Sequence, residues 1–395
     1  MKNNRTFLEK LLDGSEVEWK PLDEVANIAN NARKPVKSSL RISGNIPYYG
    51  ANNIQDYVEG YTHDGEFVLI AEDGSASLEN YSIQWAVGKF WANNHVHVVN
   101  GKEKLNNRFL YHYLTNMNFI PFLAGKERAK LTKAKLQQIP IPIPPLSVQT
   151  EIVKILDALT ALTSELTSEL TSELTLRRKQ YEYYREKLLS VDNLKLSTEH
   201  IQWVKLNDLG ELIRGNGLQK KDFTETGVPA IHYGQIYTYY GTFATETKSF
   251  VSPELAKKLK KAKYGDVLIA GTSENVKDVM KPLGWFGSEI AFSGDMFAFR
   301  PNKKVNTKYL TYILQTEKFY KFKEKYAQGT KVIRVRADNF LNYEIPLPPF
   351  EEQQRIVSIL DKFEALTNSI TEGLPLAIEQ SQKRYEYYRE LLLSF

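Results

Sequence analysis

Two short stretches gather side chains suited to gripping and reading an anionic polymer. Residues 126–135, KERAKLTKAK, carry Lys126, Arg128, Lys130 and Lys133, and residues 329–336, GTKVIRVR, carry Lys331, Arg334 and Arg336. Each run stands just before a proline-rich segment, so one kind of basic loop occurs twice. Other turn-rich stretches add amides, hydroxyls and cations. They hold Tyr48, Asn52, Asn53, Ser75, Asn93 and Asn94 in the first half, and Arg214, Asn216, Lys220, Tyr233, Gln235, Thr272, Ser273 and Asn275 in the second. Asn and Gln pair bidentately with adenine, Arg and Lys with guanine, and the remaining cations and amides hold phosphates. The net charge of +5 permits such a partner without demanding it.

Groups that would transform a substrate are not evident in the sequence. The chain has no cysteine, which excludes disulfides, thiolate metal sites and Cys nucleophiles. There is no G-x-G-x-x-G after a strand, no G-x-x-x-x-G-K-[ST] phosphate loop and no Asn/Asp-Pro-Pro-Tyr. Glu18-Trp19-Lys20 matches half of a nuclease metal pattern, but its counterpart Gln202-Trp203-Val204 carries neither charge. His95 and His97 on one strand would point two imidazoles the same way, yet no third ligand is visible. The expectation is a chain without catalytic residues, metal or cofactor of its own. No apolar run is long enough to span a bilayer, and the first residues lack the apolar core of a secretory signal, so a cytoplasmic location is expected.

The elements that would position these residues come in duplicate. IPIPPLSVQTEIVKILD starts at 141 and IPLPPFEEQQRIVSILD at 345; YEYYRE starts at 181 and again at 385, so both pairs are 204 residues apart. Between them EWKPLDEV (18–25) resembles QWVKLNDL (202–209), EFVLIAEDGS (66–75) resembles GDVLIAGTS (265–273), and NNRFLYHYL (106–114) resembles NTKYLTYIL (306–314). Residues 7–19 resemble the end of the first repeated segment, as if the chain closed on itself as a pseudo-dimer.

Each repeated segment opens with prolines that hold an extended strand, after which apolar residues at spacings of three and four predict a helix. The first helix has no Gly or Pro from about 147 to 190 and should run roughly 40 residues, about 60 Å. Gly373 and Pro375 should kink or interrupt the second. Two such helices are matched partners for an antiparallel coiled coil. Inside the first, LTSELTSELTSELT (162–175) should set Leu162, Leu166, Leu170 and Leu174 on one broad packed face, each four-residue unit lengthening the helix by about 6 Å. The halves between the helices mix short β-runs, turns and a helix, and read as compact α+β units.

The paired I-P-x-P-P…Q…I-V-x-I-L-D segments, the Y-E-Y-Y-R clusters and the tetrads together resemble the specificity subunit of type I restriction–modification enzymes, in its C-type branch. The resemblance covers essentially the whole chain. It implies two pseudo-symmetric α/β target-recognition domains (residues 1–145 and 196–349) separated by two long antiparallel helices (146–195 and 350–395). Each domain would read one half of a bipartite DNA site, and the helices would set the spacer. Motif-matched positions are structural or subunit-facing: Pro142, Pro144, Pro145, Gln149, Tyr181, Tyr183, Tyr184 and Arg185, with Pro346, Pro348, Pro349, Gln353, Tyr385, Tyr387, Tyr388 and Arg389. Implied partners are double-stranded DNA, methyltransferase subunits and translocase/nuclease subunits, and S-adenosylmethionine, ATP and Mg2+ would reside on those partners. An adaptor whose coiled coil joins two modules for other ligands is the alternative, and a steep salt dependence of binding to duplex DNA separates the two.

Overall fold

The computed structural model describes residues 6–125, 129–190, 201–368 and 373–395. They form two compact units, residues 1–168 with 380–395, and residues 169–379. Compactness thus divides the chain within the long helices rather than at their ends.

In the first unit a six-stranded sheet runs in the order Ala26–Ile28, Val96–Gly101, His63–Ala71, Ile83–Ala92, Ser43–Tyr49, Ile54–Val58. Its centre is set by VLIA (68–71) and by residues 96–99, which are wholly buried. Strands covered on both faces read as unbroken rather than alternating apolar runs. In the second unit the order Gly210–Arg214, Met296–Pro301, Val267–Ala270, Pro282–Trp285 repeats the first four strands of that sheet, and Phe243–Ala244 completes it. A further five-stranded sheet, from Phe223–Thr224 to Lys261–Ala262 by way of Ser249–Val251, Val228–Ile231 and Ile290–Phe292, belongs to the second unit alone. Such insertions are why the looser sequence repeats lie at unequal offsets.

After the sheet each unit starts a helix on the same cap. Asn106 accepts from the amides of Arg108 and Phe109, and Asn306 from those of Lys308 and Tyr309, satisfying donors that a helix start leaves open. The proline-rich segments form strands as expected. Pro140–Ile143 pairs with Glu18–Pro21, placing Trp19 opposite Pro142, and Glu344–Leu347 pairs with Gln202–Lys205, placing Trp203 opposite Pro346.

The first long helix spans Leu146–Leu189, 44 residues or about 66 Å. The second is interrupted, as Gly373 and Pro375 led one to expect: Phe350–Asn368 ends and Gly373–Leu393 begins anew. Gly373 has φ +80°, and a Cβ there would lie 2.5 Å from the carbonyl oxygen of Ala365, so only glycine fits. The helices pair antiparallel. In the second unit Arg178 reaches the Thr367 carbonyl at 3.5 Å while Tyr184 stacks on Phe363 at 5.5 Å, partner numbers falling as the helix advances. In the first unit Thr160 and Tyr385 meet at 3.1 Å between hydroxyls.

The tetrads pack differently from the expectation. Leu162 and Leu166 are 62% and 40% exposed, while Thr163, Thr167, Leu170 and Leu174 are half-buried. A coiled-coil seam repeats every 3.5 residues and the sequence every four, so the inward position moves from Thr to Leu along the repeat. The anticipated closure is present within the first unit. Leu8, Leu392 and Leu393 belong to one core, and Phe395 packs edge-on against Phe109 at 5.9 Å.

Candidate nucleic-acid interface

The two basic loops are closed by the same backbone pairing. Ala124 and Lys130 exchange both backbone hydrogen bonds at 2.9 Å, and Gln328 and Arg334 do the same at 2.9 Å. Each pairing is followed by a glycine with positive φ, Gly125 at +89° and Gly329 at +108°, a conformation that glycine adopts without strain. Each closing residue also pairs with the end of a buried central run, Lys130 with Asp73 and Arg334 with Thr272. Lys126 and Arg128 lie outside the described residues. Lys133 is exposed at the start of a short helix, and Lys331, Arg334 and Arg336 are exposed.

Around this common frame the two units differ in charge pairing. In the first, Glu72 binds Arg33 at 2.7 Å and Lys130 at 2.9 Å, and Asp73 binds His95 at 2.5 Å. In the second, Gly271 and Thr272 replace the two acids, and Asp295 stands where His95 does. A cleft of about 610 Å³ there gathers Arg214, Thr272, Arg334 and Arg336 with Asp295 and Gln328. The first four are among the expected DNA-contacting residues, on three separate stretches of the sequence. Asp295 and Gln328 were missed, although Asp295 was legible as the counterpart of His95 in the repeat.

Several expected base-reading residues have other work. Tyr48 is 1% exposed, with its hydroxyl on the Val36 amide at 3.0 Å and Arg41 over its ring at 4.1 Å. Asn93 is 4% exposed and accepts from the His95 amide, and Thr272 and Ser273 are buried in a strand. All four are largely buried, and of them Thr272 alone lines the cleft. The polar ends of Asn52 strap the neighbouring loop at Gly74 and Ala76, and Asn53 caps the Ile54 amide. Ser75 bonds Ser77 and Ser82; Asn216 ties Lys258 to Lys260; Asn275 binds Asp278. Gln235 is held by His232 and Ser249, and Tyr233 is half-buried beside them. Asn94 and Lys220 are exposed.

The supposed histidine pair does not converge. His97 is fully buried between Asn30 at 2.9 Å and the Leu131 carbonyl at 2.7 Å, whereas His95 precedes the strand and turns to Asp73. Burial pushes the His97 pKa down and keeps the ring neutral. Among the described residues no group of three or more His, Asp or Glu is placed to hold a metal, and no helix is long and apolar enough to cross a membrane.

On the helices the expected subunit-facing residues split in two. Gln149 and Gln353 are buried and make identical sets of bonds. Gln149 accepts from the Asn106 amide at 2.8 Å and donates to the Lys104 and Pro144 carbonyls at 2.9 and 2.8 Å. Gln353 does so with Asn306, Lys304 and Pro348 at 2.8, 3.1 and 2.9 Å. They fasten each long helix to its own unit and do not face a partner. Asp157 to Arg108 and His112, and Asp361 to Lys308 and Tyr312, form a second matched tie. In Y-E-Y-Y-R the first Tyr and the Arg are four apart and share a face. Tyr181 is accordingly buried with Arg185 over its ring at 5.5 Å, and Arg389 covers the half-buried Tyr385 at 5.5 Å. Tyr183, Tyr184, Tyr387 and Tyr388 remain exposed in both copies.

Comparison with known proteins follows the same duplication. A family model described as the type I restriction modification DNA specificity domain matches residues 14–176 and again 199–380. A putative type I restriction enzyme specificity subunit of Haemophilus influenzae is 65% identical, over 100% of both chains. The EcoR124I/EcoR124II specificity subunit of Escherichia coli is 31% identical over 99% of this chain and 97% of its own. Among solved structures, a chain from a study of complex assembly and conformational transition in a type I system aligns with TM-score 0.62 at 18% identity, covering 96% of this chain and 98% of that one. An HsdS subunit from Thermoanaerobacter tengcongensis aligns with TM-score 0.51 at 17% identity, covering 96% of each.

Proposed function

As the chain belongs to the type I restriction modification DNA specificity family, we propose that it supplies sequence reading to a restriction–modification complex. Each unit recognises one half of a bipartite duplex site, and the long helices set the unspecified gap. One observation carries this reading: a single backbone frame, closed by the pairs Ala124–Lys130 and Gln328–Arg334, occurs twice with different side chains on it. Equal frames with unequal residues suit two half-sites of different sequence.

The chain performs no catalysis of its own. Methyltransferase subunits, two by the duplication, dock on the helices and bring S-adenosylmethionine, and translocase/nuclease subunits bring ATP and Mg2+, all within the cytoplasm. The exposed tyrosine pairs 183–184 and 387–388 support docking of two like subunits, because equal patches take equal partners. Footprinting of DNA by the chain with its methyltransferase subunit tests the reading. Two protected half-sites with an unprotected gap are expected. One contiguous site, or binding indifferent to salt, contradicts it.

A further inference from the structure

We propose that the second unit recognises a G·C base pair from the major groove, Arg334 donating to guanine and Asp295 accepting from the amino group of its cytosine. The inference rests on the DNA-reading function above. It starts from an imbalance between the two units. On the common frame the first unit partners its acids internally, Glu72 with Lys130 at 2.9 Å and Asp73 with the His95 ring at 2.5 Å. The second unit has Gly271 and Thr272 in place of those acids. Arg334 and Asp295 therefore line one cleft of about 610 Å³, both exposed, and neither side chain has an ion pair or hydrogen bond among the described residues.

Opposite charges left apart in one cleft call for a ligand that offers acceptors and a donor side by side. The major-groove edge of a G·C pair does so, with O6 and N7 of guanine next to the N4 amino group of cytosine. An adenine edge presents only one acceptor, N7, and cannot take both arms of a guanidinium. A phosphate is also a poor match, because an unpaired carboxylate beside it is repelled. Arg334 is positioned for a base rather than left on a loose loop. Its backbone is bonded both ways to Gln328 at 2.9 Å and paired with Thr272 in a two-stranded ribbon. Arg214, at the end of a neighbouring strand paired with Phe297, adds a cation at the same cleft that attracts the sugar–phosphate backbone.

The test uses the full chain assembled with its methyltransferase subunits and a DNA library randomised across both half-sites. Methylated adenines are mapped for the unaltered chain, R334A, R334K and D295N. The expected result is one G·C position in one half-site at which R334A and R334K each lose preference by roughly 5- to 150-fold. D295N relaxes that same position, and the other half-site is unchanged in every variant. R334K keeps the charge and loses the planar fork, so it is expected to discriminate less than the unaltered chain, and full discrimination by both R334A and R334K overturns the proposal. A uniform loss over all sequences, relaxation at different positions, or half-sites without G·C overturns it as well. If the unaltered chain directs no bipartite methylation, the function reading fails with it, and that outcome is recognised before any variant is compared.

Discussion

Gln149 shows how much one side chain decides. Its amide serves three backbone groups at the junction of a strand exit, a loop and a helix cap, and Gln353 repeats the arrangement. A leucine of similar size would leave those buried groups unsatisfied, at about 1–3 kcal/mol each and less than additively. Q149L is therefore expected to destabilise the first unit by about 2–4 kcal/mol, and Q353L the second, read by hydrogen exchange of peptides from each unit. Unchanged protection would refute the tie. The second matched tie differs in its titration. His112 is buried beside Asp157, and burial pushes its pKa down, as it does for His63 and His97 in the same unit. The unfolded chain then takes up protons first as pH falls, so stability is lost below the ordinary value of 6.5. The corresponding Tyr312 is raised by burial and by Asp361, far from neutral pH. Between pH 7.5 and 5.5 the first unit, with these three histidines against His232 alone lowered by burial among the described residues of the second, should lose more protection; equal losses would contradict the assignment. Residue chemistry was only partly legible in advance. The types of Tyr48, Asn93 and Gln149 suited a surface role, but a side chain that can bind a ligand equally well satisfies a buried turn, and only the fold distinguishes the two.

At the scale of elements the sequence was more informative. The strand before each helix, the 44-residue helix and the break near Gly373 follow from proline placement, apolar spacing and glycine alone. The packed face of the tetrads was misread because a four-residue repeat was followed on an isolated helix, while the coil selects every 3.5 residues. That mismatch matters for the spacer. Deleting one LTSE unit shortens the helix by about 6 Å, just under two base-pair rises of about 3.4 Å, and turns one side by about 40° relative to the other. The gap between half-sites is expected to shrink by one or two base pairs with both half-sites unchanged. Methylation-site mapping of the deletion variant measures it, and an unchanged gap or an altered half-site would count against the helix as a spacer.

At the scale of the whole molecule the two-fold repetition was readable from the 204-residue offset, and so was the joining of the first and last segments in one core. The extra sheet of the second unit was not, because its strands of two to four residues carry too little pattern to separate from turns. The central claim is that one chain reads two separate DNA half-sites. Mapping every methylated adenine in cells that carry this chain with its methyltransferase partner tests it most directly. The expected outcome is a single motif of two unlike half-sites at one fixed spacing, present only with the chain. A contiguous motif, or methylation indifferent to the chain, would contradict it.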